Sequence, residues 1–91
     1  MTDVTRTLTI VNEKGLHARA SAKLAEVVEG FDADATVEKD GLDALGDSIM
    51  GLLMLGAARG CTITVTTHGV DAEALADAIE TLVADRFGED R

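Results

Sequence analysis

Ninety-one residues, 46% of them hydrophobic, suffice for one domain spanning 1–91 with its core at about 5–87, and leave no room for a second core. Seventeen acidic against eight basic residues give a net charge of −9, which repels nucleic acid and anionic lipid. Cys61 stands alone, excluding an intrachain disulfide and a multi-cysteine zinc site, and no apolar run is long enough to cross or insert into a bilayer.

Phe31 and Phe87 are the only aromatics, so the core is expected to be aliphatic, and with no proline the elements must end at glycines and caps. The opening Met1-Thr2-Asp3-Val4-Thr5-Arg6 lacks the basic-then-apolar pattern of a secretory leader, and the cytoplasm is expected.

Arg6 to Val11 alternates polar and apolar residues and predicts a half-buried strand. Asn12 to Gly15 reads as a turn. From His17 the spacing becomes helical, with Ala20, Leu24, Val27 and Val28 on one face, Gly30 as a left-handed stop and Phe31 packing beyond it. Ala33 to Glu38 alternates again and meets Leu42 to Leu45 through Asp40-Gly41, a tight-hairpin signal. Asp47-Ser48 opens a short apolar helix closed by Gly56. Thr62 to Thr67 predicts a fourth strand, and Asp71 caps a last helix with the stripe Ala72, Leu75, Ala76, Ile79, Leu82 and Val83. The order β-α-β-β-α-β-α predicts an α+β fold. A mainly antiparallel sheet is covered on one face by three helices, while Thr7, Thr9, Thr62, Thr64 and Thr66 meet solvent on the other.

His17 sits where the turn becomes a helix. The first backbone N–H groups of a helix lack intrahelical partners and carry partial positive charge, so an anion placed there meets donors already aimed at it. A neutral imidazole at this position is favoured over its cation and can act as a nucleophile, and Arg19 adds a fixed positive charge two residues on. The same N–H groups would stabilise a phosphoryl group once attached. The same position also suits a histidine that only caps the helix.

Gly15-Leu16-His17-Ala18-Arg19-Ala20-Ser21 resembles the active-site stretch of HPr, the histidine-containing phosphocarrier family of the bacterial phosphotransferase system. Asp47-Ser48-Ile49-Met50-Gly51-Leu52-Leu53-Met54-Leu55-Gly56 resembles that family's second signature, and the element order agrees from about Thr5 to Phe87. The resemblance implies an open-faced sandwich of four antiparallel strands and three helices. It implies a monomeric carrier, without cofactor or metal and without turnover of its own. Such a carrier accepts phosphate from enzyme I, charged by phosphoenolpyruvate, and passes it to a IIA-type protein. His17 would then be phosphorylated at Nδ1, with Arg19 as its electrostatic partner and the backbone of Ala18, Arg19 and Ala20 binding the phosphate. A non-transferring α+β binding module is the competing reading, and it has no need of His17 and Arg19 at a helix start.

The resemblance also makes Ser48 a candidate for regulation by an HPr kinase/phosphorylase, although Asp47 would repel a neighbouring phosphate and either residue could cap the helix. The helix after Ser48 is too apolar for a surface helix. Ile49, Met50 and Leu53 are expected to form an outward docking patch while Leu52 and Leu55 fill the core. Two departures from the family stand out. Ala20 replaces a proline common three residues after the histidine, which predicts a changed transfer rate and not a loss of function. Glu26 and Glu29 stand where sugar-transport members often have lysine, and with the Ser-Ile-Met-Gly-Leu phrase they make the nitrogen-related branch as plausible as sugar uptake. His68 reads as a turn residue, Cys61 as a small apolar one, and Asp85 to Arg91 as a solvated acidic end.

Overall fold

The computed structural model describes residues 3–91, so Met1 and Thr2, the start of the segment read for a leader, lie outside the described residues. Its elements are β1 (Val4–Thr9), α1 (Ala18–Glu29), β2 (Asp34–Lys39), β3 (Leu42–Leu45), α2 (Ile49–Met54), β4 (Thr62–His68) and α3 (Ala72–Ala84). The four strands form one antiparallel sheet in the order β1-β4-β2-β3. β1 starts two residues before the expected Arg6 and stops at Thr9, although Ile10 still donates its N–H to Cys61 O at 2.9 Å. Asp40 and Gly41, with φ of 52° and 83°, form the two-residue hairpin between Lys39 and Leu42, because a turn with positive φ at both central residues matches the twist of adjoining strands.

Period-two alternation separates the sheet's faces. Leu8, Val37, Ala44, Ile63 and Val65 point into the core, and their neighbours Thr7, Thr9, Thr62, Thr64 and Thr66 lie on the other face. On the core side α3 packs on β1 and β4, α2 lies beside β3, and α1 contacts both helices. The buried stripe of α3 is Ala72, Leu75, Ala76, Ile79 and Val83, with Leu82 half-buried against it. Among the described residues no helix is long and apolar enough to cross a membrane.

Several local expectations need correction. Gly30 ends α1 in a right-handed conformation (φ −80°, ψ −2°), its N–H on Val27 O at 3.1 Å and that of Phe31 on Val28 O at 3.3 Å, so the stop is a tightened last turn. Phe31 does pack against the core beyond it. Asp71 precedes α3 but does not cap it; its carboxylate accepts the N–H of Asp32 at 2.8 Å and ties the helix start to the β2 approach. His68 is the last residue of β4, and its Nδ1 pairs with Asp3 Oδ1 at 2.5 Å.

The largest correction is at the C-terminal end, which is not simply solvated. Phe87 is completely buried in the core. The chain reaches it through a single turn, Arg86–Gly88, with positive φ at all three residues (56°, 54° and 76°). Left-handed geometry costs about 1–2 kcal/mol per non-glycine residue, and burying a phenylalanine side chain returns about 1.5–3 kcal/mol. Lys23 of α1 adds a second anchor, donating from Nζ to Phe87 O at 2.6 Å. The turn reverses the chain after α3 and sends residues 89–91 toward the N-terminus of α1.

Candidate functional site at the N-terminus of the first helix

The turn before α1 fixes where the site lies. Gly15 has φ of +68°, and a Cβ there would come within 2.5 Å of Ala57 O, so glycine is required on both counts. Leu16, itself buried, donates its N–H to Ala57 O at 2.8 Å and pins the turn to the segment after α2. The chain enters α1 at His17, the N-cap, with extended backbone. Ser21 is buried beneath it, with its N–H on His17 O at 2.8 Å and its hydroxyl donating to Leu16 O at 3.2 Å. Ala20, the departure from proline, is fully buried in this first turn.

Both nitrogens of the His17 ring are engaged. Nδ1 accepts the N–H of Arg19 across a long 3.3 Å, and Nε2 bonds to Glu89 Oε2. The other Glu89 oxygen accepts from Asn12 Nδ2 at 3.0 Å, and Asn12 Nδ2 also donates to Gly15 O at 2.8 Å. Asn12 is wholly buried, and its Oδ1 has no partner among the described residues, which costs about 1–3 kcal/mol. Burial works against ionisation of Glu89, but the hydrogen bonds from Asn12 and His17 and the nearby Lys14 ammonium outweigh it, holding the carboxyl below the usual carboxylate range.

An open cleft of about 730 Å³ lies beside the ring. Lys14, Arg19, Lys23 and Arg91 line it, half of the chain's eight basic residues, against the carboxylates of Glu13, Glu89 and Asp90. The sign of the whole chain is therefore not repeated here: an anion meets a local surplus of positive groups beside unpaired helix-start amides. Arg19 is exposed and makes no ion pair among the described residues, so its charge is available to a ligand.

Ser48 is the N-cap of α2, and its Oγ accepts the Gly51 N–H at 3.1 Å; Asp47 lies outside the helix and is not the cap. Leu52 and Leu55 are buried, as expected, and Ile49 and Met50 are exposed. Leu53 is only half-buried, and Met54, 77% exposed, is the more outward residue. One helical turn places Met54 above Met50, four residues back, so the apolar surface runs along a Met50–Met54 line. Among the described residues no three His, Cys, Asp or Glu side chains cluster as metal ligands.

Asn12 and Glu89 are the site residues that the sequence did not mark. They stand 77 positions apart, one in a turn and one in an acidic tail, and only the isolated apolar Phe87 among charged neighbours signalled that the tail folds back.

Residues 4–85 match the family described as the PTS HPr component phosphorylation site. The chain is 46% identical over 89 residues to the phosphocarrier protein NPr of Shewanella violacea, covering 98% of each. It is 44% identical over 84 residues to the phosphocarrier protein HPr of Cupriavidus necator, covering 92% of this chain and 94% of that one. The crystal structure of HPr-C-His from Thermoanaerobacter tengcongensis superposes with a TM-score of 0.90 at 34% identity, covering 100% of both chains.

Proposed function

This chain belongs to the HPr family of phosphotransferase-system phosphocarriers, and from that premise we propose that His17 carries the phosphoryl group, bonded through Nδ1. Family membership makes the protein a phosphoryl carrier and not a catalyst, and sets aside the non-transferring binding module. The observation that carries the assignment to His17 is its place as N-cap of α1, with Nδ1 facing the Arg19 N–H at 3.3 Å.

In the resting protein that N–H is held weakly by the ring. When Nδ1 attacks phosphorus, its lone pair forms the N–P bond and the bond from phosphorus to the donor breaks, the electron pair leaving with the donor. The Arg19 N–H, no longer bound to Nδ1, then joins those of Ala18 and Ala20 as donors for the phosphoryl oxygens, and the Arg19 guanidinium balances their charge. No donor has to be built during the step.

The donor in this reading is enzyme I, charged by phosphoenolpyruvate, and the acceptor is a IIA-type protein. Phosphoenolpyruvate is a cytoplasmic metabolite, which puts the carrier in the cytoplasm. Ile49, Met50 and Leu53, extended by Met54, offer adaptable apolar side chains to successive partners. Phosphorylation of Ser48 by an HPr kinase/phosphorylase would set a dianion at the N-cap of α2, where the helix end attracts it and Asp47 repels it. Regulation there would act by adding negative charge at the start of α2, the docking helix itself.

Incubation with enzyme I and phosphoenolpyruvate tests the assignment. Acid-labile phosphate should appear on the wild-type chain and be absent from His17→Ala; equal labelling of the two would overturn it.

A further inference from the structure

We propose that Glu89 is a positioning residue for His17: by accepting the proton at Nε2 it holds the ring with its Nδ1 lone pair toward α1, and it keeps that proton on the ring while the phosphoryl group is attached. The inference rests on His17 as the phosphorylated residue.

A neutral imidazole has one N–H, and the partner of each nitrogen decides which one carries it. Glu89 is an ionised carboxylate and can only accept, so Nε2 must donate. Arg19 offers Nδ1 a backbone N–H, which can only donate, so Nδ1 must accept. The two contacts come from parts of the chain 70 residues apart, yet they specify the same arrangement. They also fix the ring's rotation, because a ring turned over would set Cδ2–H against the Arg19 N–H and Cε1–H against the carboxylate, losing both hydrogen bonds.

Glu89 is itself held from two sides. Asn12 Nδ2 bridges Glu89 Oε1 to Gly15 O, so the carboxylate is braced on the turn that starts α1. Phe87, buried two residues earlier and tied to Lys23, fixes the approach of the tail.

The chemistry uses this arrangement in both directions. As the N–P bond forms at Nδ1, the Nε2 proton stays in place and the ring, now substituted on both nitrogens, carries a positive charge. Glu89 neutralises that charge from the side opposite the phosphoryl group, where its own charge repels the phosphate least. In onward transfer the N–P bond breaks, its electron pair returns to Nδ1 and the starting tautomer is restored. Glu89 gains and loses no proton. A ring that shed its Nε2 proton would be the poorer leaving group, so a carboxylate here keeps the phosphorylated carrier ready to give.

Glu89→Ala and the isosteric Glu89→Gln test this in the intact chain. The first readout is the rate of labelling by enzyme I and phosphoenolpyruvate. The second is the downfield resonance of the Nε2-bound proton of His17, which a carboxylate partner protects from exchange with water. In Glu89→Ala the rate should fall on the order of tenfold and the resonance should vanish. The loss stays below the ~10⁴-fold that follows when a buried carboxylate behind a protease histidine is neutralised, because the Glu89 side chain is 15% exposed and water can take its place. Glu89→Gln, which keeps an acceptor without the charge, should fall between the two. Rates within twofold of wild type in both variants, or an undisturbed Nε2 proton in Glu89→Ala, would refute the proposal while leaving His17 as the carrier. If the wild-type chain took no phosphate, or took it equally in His17→Ala, the underlying assignment would fail instead. The Nε2 proton would then judge the hold of Glu89 on the ring alone.

Discussion

Two helices of this protein begin in the same way and are equipped differently. α1 is capped by His17 and α2 by Ser48, and in each the cap side chain accepts a backbone N–H from the first turn, at 3.3 Å for His17 and 3.1 Å for Ser48. At α1 the cap has a second polar atom, already bonded to Glu89, and Lys14, Arg19, Lys23 and Arg91 line the adjoining cleft. At α2 the cap is a hydroxyl with one oxygen, its neighbour is the exposed Asp47, and the helix beyond is six residues long. Modifying His17 would use a lone pair that the helix can spare, because the released N–H serves the phosphate. Modifying Ser48 would put the charge on the cap itself, between the positive helix end and Asp47. The first arrangement suits a group that comes and goes; the second suits a switch in the charge of the surface beside it.

Substitution at the caps tests that contrast, beginning with the largest effect. Asparagine is a good N-cap but cannot form a phosphoramidate through a ring nitrogen. His17→Asn should therefore lose all acid-labile labelling while its circular dichroism and melting temperature stay close to wild type. A melting temperature lowered as far as in His17→Ala would mean that the cap, and not the chemistry, is what His17 supplies.

Next is the anchor of the tail. Phe87→Ala removes the largest fully buried side chain and should cost about 3–5 kcal/mol in a denaturant titration. Hydrogen exchange should then rise more at the start of α1 than at the start of α2, because only α1 receives a residue from the tail.

Ser48→Ala should cost about 1 kcal/mol, a drop of about 4–8 °C in melting temperature for a domain of this size. Labelling of His17 should be unchanged. Loss of labelling in this variant would show that the two helix starts are coupled more closely than their separate caps imply.

The smallest effect is the pH dependence of the Glu89 contact. Its carboxyl is held below the usual range, so the contact's stabilisation is complete above that range and lost as pH falls through the depressed value. The resonances of Phe87 and the His17 ring should move together over that acid window in the wild type. In Glu89→Gln, which has no carboxyl to protonate, the Phe87 movement should be absent.

The sequence by itself determined the elements, their order and the position of His17, because these follow from interactions between residues a few positions apart. Period two sorted the sheet's faces, helical spacing marked the stripe of α3, and Asp40-Gly41 could make only a tight hairpin. Family resemblance carried the reading of that helix cap as the proposed phosphate acceptor. The tertiary structure alone decided how the tail is used. Nothing local distinguishes Glu89 from Asp90, and its meeting with Asn12 and His17 depends on a left-handed turn that is unfavourable in isolation. The turn exists because Phe87 finds space in the core, and that space is built by residues from every layer of the fold. Asp71 was misread for the same reason: the residue stands where a cap belongs, but the carboxylate's partner was chosen by the approach of Asp32 from elsewhere in the chain.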